Sequence, residues 1–294
     1  MANLKAIRVR ISSVKSTRQI TSAMKMVSAA KLRKAQDKIV RLRPYVSKLQ
    51  EILAGLSQSL AEDQVENVFG RVSDPGKILI VVITSNRGLC GAFNANVIKE
   101  TRKIISEKYA DQYKSGNLQI LTIGKKGFDY FRKQQVKMLP DQNNLLNNLS
   151  FGNVSQVADT IMGSFISGEY DKVELVYNQF KNAAVQNLTN ELYLPVVAKP
   201  KSKADSEVID YLYEPDQETI VKDLIPKSLK IHFYKAVLDS FVAEHGARMT
   251  AMHKATDNAT TMIRELTLHY NKARQSTITN QILEVVSGAE AIRG

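Results

Sequence analysis

LRKAQDKIVRLRPYVSKLQEILAGLSQSL, residues 32–60, decides the fold. Leu32, Ala35, Ile39, Leu42, Val46, Leu49, Leu53, Leu56 and Leu60 recur at alternating steps of three and four, which is the spacing of one apolar seam on a long helix. Working back toward the start, Leu4, Ile7, Ile11 and Val14 keep the same rhythm, so a single helix over roughly residues 4–60 is expected. At ~1.5 Å per residue it would run about 85 Å, and a rod that long needs a partner to cover its seam. Pro44 is expected to kink or locally end it, since an interior proline costs about 3 kcal/mol. Between Val14 and Leu32 the seam positions hold Arg18, Thr21, Lys25 and Ser28, while Met24, Met26, Val27, Ala29 and Ala30 fall on other faces. Two readings stand for this loosening: a surface that leaves its partner helix to meet another protein, or a register shift in an ordinary coiled coil.

The partner is at the far end of the chain. From Pro226, a residue suited to a first helical turn, Tyr234, Leu238, Phe241, His245, Met249, Met252, Ala259, Ile263, Leu266, Tyr270, Ala273, Ile278, Ile282, Val285 and Ala289 form a second helical stripe. Only Gly246 interrupts it before Gly288. Two seams of this length predict an antiparallel coiled coil built from residues 1–60 and 226–294.

The middle has a different period. Ile78 to Thr84, Leu118 to Ile123 and Val173 to Phe180 are continuous apolar, β-branched runs, separated by helical stretches at Val97 to Tyr109, Gly127 to Gln134 and Val154 to Ile166. Strand, helix, strand, helix, strand predicts a Rossmann-like α/β domain over residues 77–197, with Asn187 to Val196 as an antiparallel edge strand. Residues 198–225, which carry Pro200, Pro215 and a run of acids, read as an exposed acidic connector.

Composition narrows the function classes. With 44% apolar residues and one cysteine, Cys90, the chain is expected to fold without disulfides, and no apolar run is long enough for a membrane span. The net charge of +12 is concentrated in residues 1–43, where twelve Lys or Arg stand against Asp37 alone. A partner with a negative surface is implied. The basic, Ser-containing start has the composition of a transit peptide, but the helical seam runs straight through it. A nucleic-acid reading lacks aromatics, since residues 1–44 contain none to stack on bases, and the cations are spread around every face.

No catalytic constellation emerges. Thr84-Ser85-Asn86-Arg87-Gly88-Leu89-Cys90-Gly91-Ala92-Phe93-Asn94 sits between a strand and a helix, where phosphate-binding turns are found. It offers only Gly88 and Gly91, with no Gly-Lys-Ser/Thr ending and no acid closing the second strand. A nucleotide-binding enzyme on this domain is therefore the alternative reading, and a tight strand-to-helix turn with Arg87 exposed is the preferred one. His232, His245, His253 and His269 all lie in the last helix, none three or four apart, so neither a Cys/His pair nor a metal face is expected. No cofactor is implied.

Three separated stretches together carry a resemblance. Ser13-Val14-Lys15-Ser16-Thr17-Arg18-Gln19-Ile20-Thr21-Ser22-Ala23-Met24-Lys25-Met26-Val27, running on to Gln36, closely resembles the N-terminal helix of the gamma subunit of F-type ATP synthases. Ala247-Arg248-Met249-Thr250-Ala251-Met252, Tyr270-Asn271-Lys272-Ala273-Arg274-Gln275 and Ile278 to Ala289 are similar to its C-terminal signature, and Arg87 to Asn94 to its central-domain motif.

The resemblance implies a rotor shaft that is not itself catalytic: a coiled coil standing inside a ring of three alpha and three beta subunits, its base joined to epsilon and the c-ring. It would couple proton flow to ATP synthesis or hydrolysis in the ring. By matching positions, Met24, Lys25, Arg248, Arg274 and Gln275 are implied as ring-facing, and Arg87, Gly88, Cys90 and Gly91 as the central-domain turn. With no presequence, the resemblance implies a bacterial chain, peripheral on the cytoplasmic face of the inner membrane. Family members commonly carry Glu where this chain has Gln281 and Asp where it has Asn86, so each position lacks one negative charge here. The extra cysteine pair of chloroplast relatives is also missing.

Overall fold

The computed structural model describes residues 4–60, 68–71, 76–134, 136–196 and 217–293. At its centre is β1, Ile78–Ile83, whose six side chains are all buried. A strand with no alternation is one covered on both faces. It pairs in parallel with β2 (Leu118–Ile123) on one side, Ile78 opposite Leu118, and with β4 (Lys172–Phe180) on the other. β5 (Gln186–Leu194) closes the β4 side as an antiparallel edge, with a bulge at Val173/Glu174. The opposite edge is β3, Lys137–Met138, a two-residue strand too short to leave a sequence pattern, and the sheet order is β3-β2-β1-β4-β5.

Helices cover the sheet unequally. The connections β1 to β2 and β2 to β3 hold α2 (Phe93–Lys108), α3 (Ala110–Lys114) and α4 (Lys125–Phe131). Val97, Ile104 and Ile105 of α2 and Phe131 of α4 pack on Ile78, Ile80, Val82, Leu118, Ile120 and Val176. Residues that alternate to the other side, such as Leu79 and Leu121, face a cleft walled by α5 (Phe151–Ile166). α5 is started by Ser150, whose hydroxyl accepts from the Asn153 amide at 3.3 Å.

Both terminal helices form, with boundary differences. α1 spans Leu4–Leu60 and runs through Pro44 rather than ending there. α6 spans Gln217–Arg293, so it begins nine residues before Pro226 and carries that proline inside. The physical reason is packing on both sides of the proline: Leu224 and Ile231 pack with Leu42, Val46 and Leu49 of α1. Apolar contact of that kind outweighs the lost helical hydrogen bond. Residues 217–225, expected in the acidic connector, are therefore helical, and the rest of that connector lies outside the described residues apart from its neighbours in α6.

The chain divides into two compact units that cut across the expected domains. One is residues 1–29 with 248–294; the other is residues 30–247. In the second unit α6 lies against the α/β layer. Tyr193 donates to the Leu229 carbonyl at 3.1 Å, Lys230 pairs with Asp159 at 2.7 Å, and Phe151 meets the Tyr234 ring edge-on at 5.6 Å. A Cβ on Gly246 would lie 3.3 Å from the Ala183 backbone, so glycine there lets the helix close on the β4–β5 hairpin.

Candidate functional site

The shaft surface is built in the first unit by the start of α1 and the end of α6. Thr21 and Thr256 share a hydroxyl hydrogen bond of 2.9 Å, and Arg8 donates to the Tyr270 hydroxyl at 2.8 Å while lying over its ring. Thr21 and Ser28 are buried, so the polar seam is a close-packed helix contact and not an outward bearing face. Small side chains allow that approach. Their hydroxyl demand is met by nearby partners: Thr17 donates to the Ser13 carbonyl, and of Thr21 and Thr256 one gives its single proton to the other while the second donates to a carbonyl of its own helix, Arg18 for Thr21 or Met252 for Thr256.

What faces outward in this stretch is mixed, Lys15, Ser16, Thr17 and Gln19 standing beside several apolar side chains. Ile20, Met26 and Val27 are each more than half exposed, as is Val9 nearer the start. Of the residues implied as ring-facing, Met24 and Lys25 are half-buried, and Arg274 and Gln275 are exposed. Arg248 is only 7% exposed, so it is a buried residue and offers little surface to an outside partner. Beyond Thr277 every described side chain of α6 is exposed through Ile292, including Ile278, Ile282, Leu283, Val285 and Val286. A helical end this apolar, left exposed by the described residues, is the mark of an interaction surface. Sequence reasoning placed Ile278, Ile282 and Val285 in the intramolecular seam. The missed signal was register: Arg8, in the second turn of α1 as described from Leu4, already meets Tyr270, well before the end of α6 at Arg293.

The central turn is a closed hydrogen-bond network. Thr84 Oγ1 donates to the Gly124 carbonyl at 3.1 Å and accepts from the Gly127 amide at 2.9 Å. Any side chain at Gly124, whose φ is +112°, would run into the Thr84 carbonyl. The Ser85 amide is held by Asn94 Oδ1 at 2.9 Å, the Ser85 hydroxyl donates to the Arg87 carbonyl at 2.7 Å, and Asn94 Nδ2 reaches Cys90 Sγ at 3.2 Å. Asn86 crosses to the neighbouring loops, accepting from the Lys125 amide at 3.0 Å and donating to the Asn143 carbonyl at 2.9 Å. The Lys126 amide bonds the Ser85 carbonyl at 3.1 Å. The amides of Ser85, Lys125, Lys126 and Gly127 are thus already committed within the protein, which makes this a braced strand-to-helix turn. Cys90 is buried. Arg87 and Gly91 are exposed and Gly88 is half-buried. Leu89, not singled out from sequence, stands 64% exposed at φ 63°, a conformation that costs a leucine about 1–3 kcal/mol.

A third cluster, also unforeseen, lies between α6 and the sheet, its His232, Glu191 and Lys235 half-buried and its Asp239 buried. His232 Nε2 lies 3.1 Å from Glu191 Oε1. Burial pushes the Glu191 carboxyl up, but His232, with Tyr177 and Lys235, outweighs it and the pKa is lowered. Asp239, 1% exposed, is pushed up to about 6, chiefly by burial, against the opposing charges of Lys235 and Arg43. No group of metal-ligating side chains occurs among the described residues. Nor, among them, is any helix long and apolar enough to cross a membrane.

Comparison with known proteins matches this geometry to one family. A family model described as ATP synthase matches residues 3–292. The ATP synthase gamma chain of Flavobacterium johnsoniae is 55% identical over 294 residues, covering 100% of both chains. This chain belongs to the ATP synthase gamma-chain family. The gamma chain of Cytophaga hutchinsonii is 48% identical, covering 99% of each chain. Among solved structures, a chain of the OSCP/F1/c-ring assembly of Euglena gracilis mitochondrial ATP synthase, rotational state 3, aligns with TM-score 0.68 at 24% identity. It covers 98% of this chain and 94% of that one. That likeness extends the family's fold to this gamma-type chain, long terminal helices and parallel-dominated sheet included.

Proposed function

We propose that this chain is the non-catalytic central rotor shaft of an F-type ATP synthase, coupling proton flow through a membrane sector to ATP synthesis or hydrolysis in a ring of three alpha and three beta subunits. The observation that carries this reading is the end of α6, where residues 278–292 expose an apolar helix that no other described residue covers. In water such a surface is unfavourable by roughly 25 cal/mol per Å², and a sleeve of other subunits relieves it. Met24, Lys25, Arg274 and Gln275, with Ile20, Met26 and Val27, are the proposed ring contacts. The excess of cations in residues 1–43 suits acidic ring surfaces.

The exposed Leu89 and Arg87 of the central turn are proposed to meet epsilon or the c-ring. Membrane attachment is through the complex, peripheral and on the cytoplasmic face of a bacterial inner membrane. The test is reconstitution: the purified chain restores ATP hydrolysis to isolated alpha and beta subunits and copurifies with alpha, beta and epsilon. Failure to restore hydrolysis with a folded chain refutes the proposal.

A further inference from the structure

On one face of the sheet, α2 and α4 cover β1 and β2; on the other, α5 walls a cleft over Leu79 and Leu121 and leaves β2 and the loop after β3 partly open. The result is a cleft of about 420 Å³, floored by Leu79, Leu121 and Ile161 and rimmed by neutral amides such as Gln142, Asn153 and Gln156. That volume is in the range of small-molecule sites, ~300–1,000 Å³. Its lining carries no ionisable side chain except Tyr170, and that hydroxyl is engaged, donating to Gln119 Oε1 at 3.0 Å.

A second cavity of about 380 Å³ adjoins it, sharing Leu139 and Tyr170, and has a different character. Lys77 and Lys137 line it, with Glu169 the single acid. Lys77 Nζ donates to the Gly168 carbonyl at 3.4 Å, which fixes the ammonium at the cavity while leaving it further protons to donate. Lys137 Nζ lies over Gly116, where a Cβ would be 3.4 Å away. Lys77 is two residues before Leu79, so the charged and apolar ends of the double cavity are about 7 Å apart along one strand.

We propose that this double cavity binds a single-chain amphiphile with an anionic head, its hydrocarbon chain over Leu79 and Leu121 and its head against Lys77 and Lys137. The apolar chamber has no charge to hold an ionic ligand, and the mouth has an excess of one positive charge with donors, its apolar lining limited to the shared Leu139 and Tyr170. Only a molecule with both ends satisfies both. The site is independent of the rotor role.

The experiment is displacement of a dansyl fatty acid from the full-length chain, below micelle-forming concentrations, by decanoate, decyl phosphate, decanol and inorganic phosphate. Decanoate and decyl phosphate are expected to compete about tenfold better than decanol, the worth of one charge-assisted hydrogen bond. The more potent of the two identifies a carboxylate or a phosphate head. Inorganic phosphate is expected not to compete. In the double variant K77Q/K137Q the preference over decanol disappears while decanol competes as before. In Ser164→Phe, which fills the chamber, all three chain-bearing ligands weaken. No saturable probe binding, equal competition by decanol in the unsubstituted chain, or an undiminished preference in the lysine variant overturns the proposal. The lysine pair is exposed and keeps the test decisive should Ser164→Phe fail to fold.

Discussion

Replacing Asp239 by asparagine tests the physics of the joint between α6 and the sheet. Asp239 is 1% exposed, and its Oδ1 has no hydrogen-bond partner among the described residues. Burial raises its pKa from 3.8 to about 6, against the lowering effect of Lys235 and Arg43. Between those values the folded chain holds a proton that the unfolded chain has released, so stability falls as pH rises through that window and levels off above it. A rise of about two pKa units, at about 1.4 kcal/mol each, corresponds to about 3 kcal/mol lost by neutral pH.

Asparagine keeps the shape and removes the charge. Asp239→Asn should therefore be more stable than the unsubstituted chain near pH 8, by up to about 3 kcal/mol, and close to it near pH 4. Urea unfolding followed by circular dichroism at a series of pH values measures the difference directly. A variant less stable near pH 8, or a difference that does not change with pH, refutes the reasoning: Lys235 and Arg43 would then more than compensate burial. Glu191 works with the opposite sign, since its lowered pKa adds stability that is fully present above the unfolded value of 4.5 and is lost as pH falls from there through the folded value.

Other outcomes follow from single contacts. Gly246→Leu should lower stability by about 2 kcal/mol or more through collision with the Ala183 backbone, while Gly246→Ala, which gains helix propensity but meets the same 3.3 Å contact, should stay within about 1 kcal/mol. Asn86→Asp retains the acceptor for the Lys125 amide but sets a carboxylate against the Asn143 carbonyl, and a urea midpoint lower by about 1 kcal/mol is expected. Thr21→Val and Thr256→Val, singly and together, should show a coupling of about 0.5–1.5 kcal/mol in a double-mutant cycle. A chain ending at Thr277 should unfold at the same urea concentration as the full chain, because the removed side chains bury nothing, and yet restore less hydrolysis to alpha and beta subunits.

The terminal helices were legible because their seams repeat over many turns; Leu32 to Leu49 reads as helix and is helix. The starts were less so. Pro226 is a good first-turn residue in isolation, and only the contact of Leu224 and Ile231 with α1 explains why α6 begins earlier. The runs at Ile78, Leu118 and Val173 declared strands buried on both faces, whereas Lys137–Met138, held by its neighbour β2, has no periodicity to read. For the site, the seam residues Thr21 and Ser28 looked like an outward surface because polar side chains suggest water; both are buried, and Thr21 fits inside because its hydroxyl finds partners in the Arg18 carbonyl and Thr256. The exposure of Ile282 and Val285 depended on where the partner helix stops, which depends on register and not on pattern.

The threonines of α6 have one more consequence. Thr260, Thr267 and Thr279 stand on its outer faces, and each spends its hydroxyl proton on the carbonyl four residues earlier. What remains for a neighbour to touch at those positions is a methyl group and an oxygen that can accept but no longer donate. A facing carbonyl or carboxylate therefore finds no donor there, and only a donor such as an amide or a lysine can bond. The same hydroxyls that stitch the helix to itself narrow what its outer faces can hold.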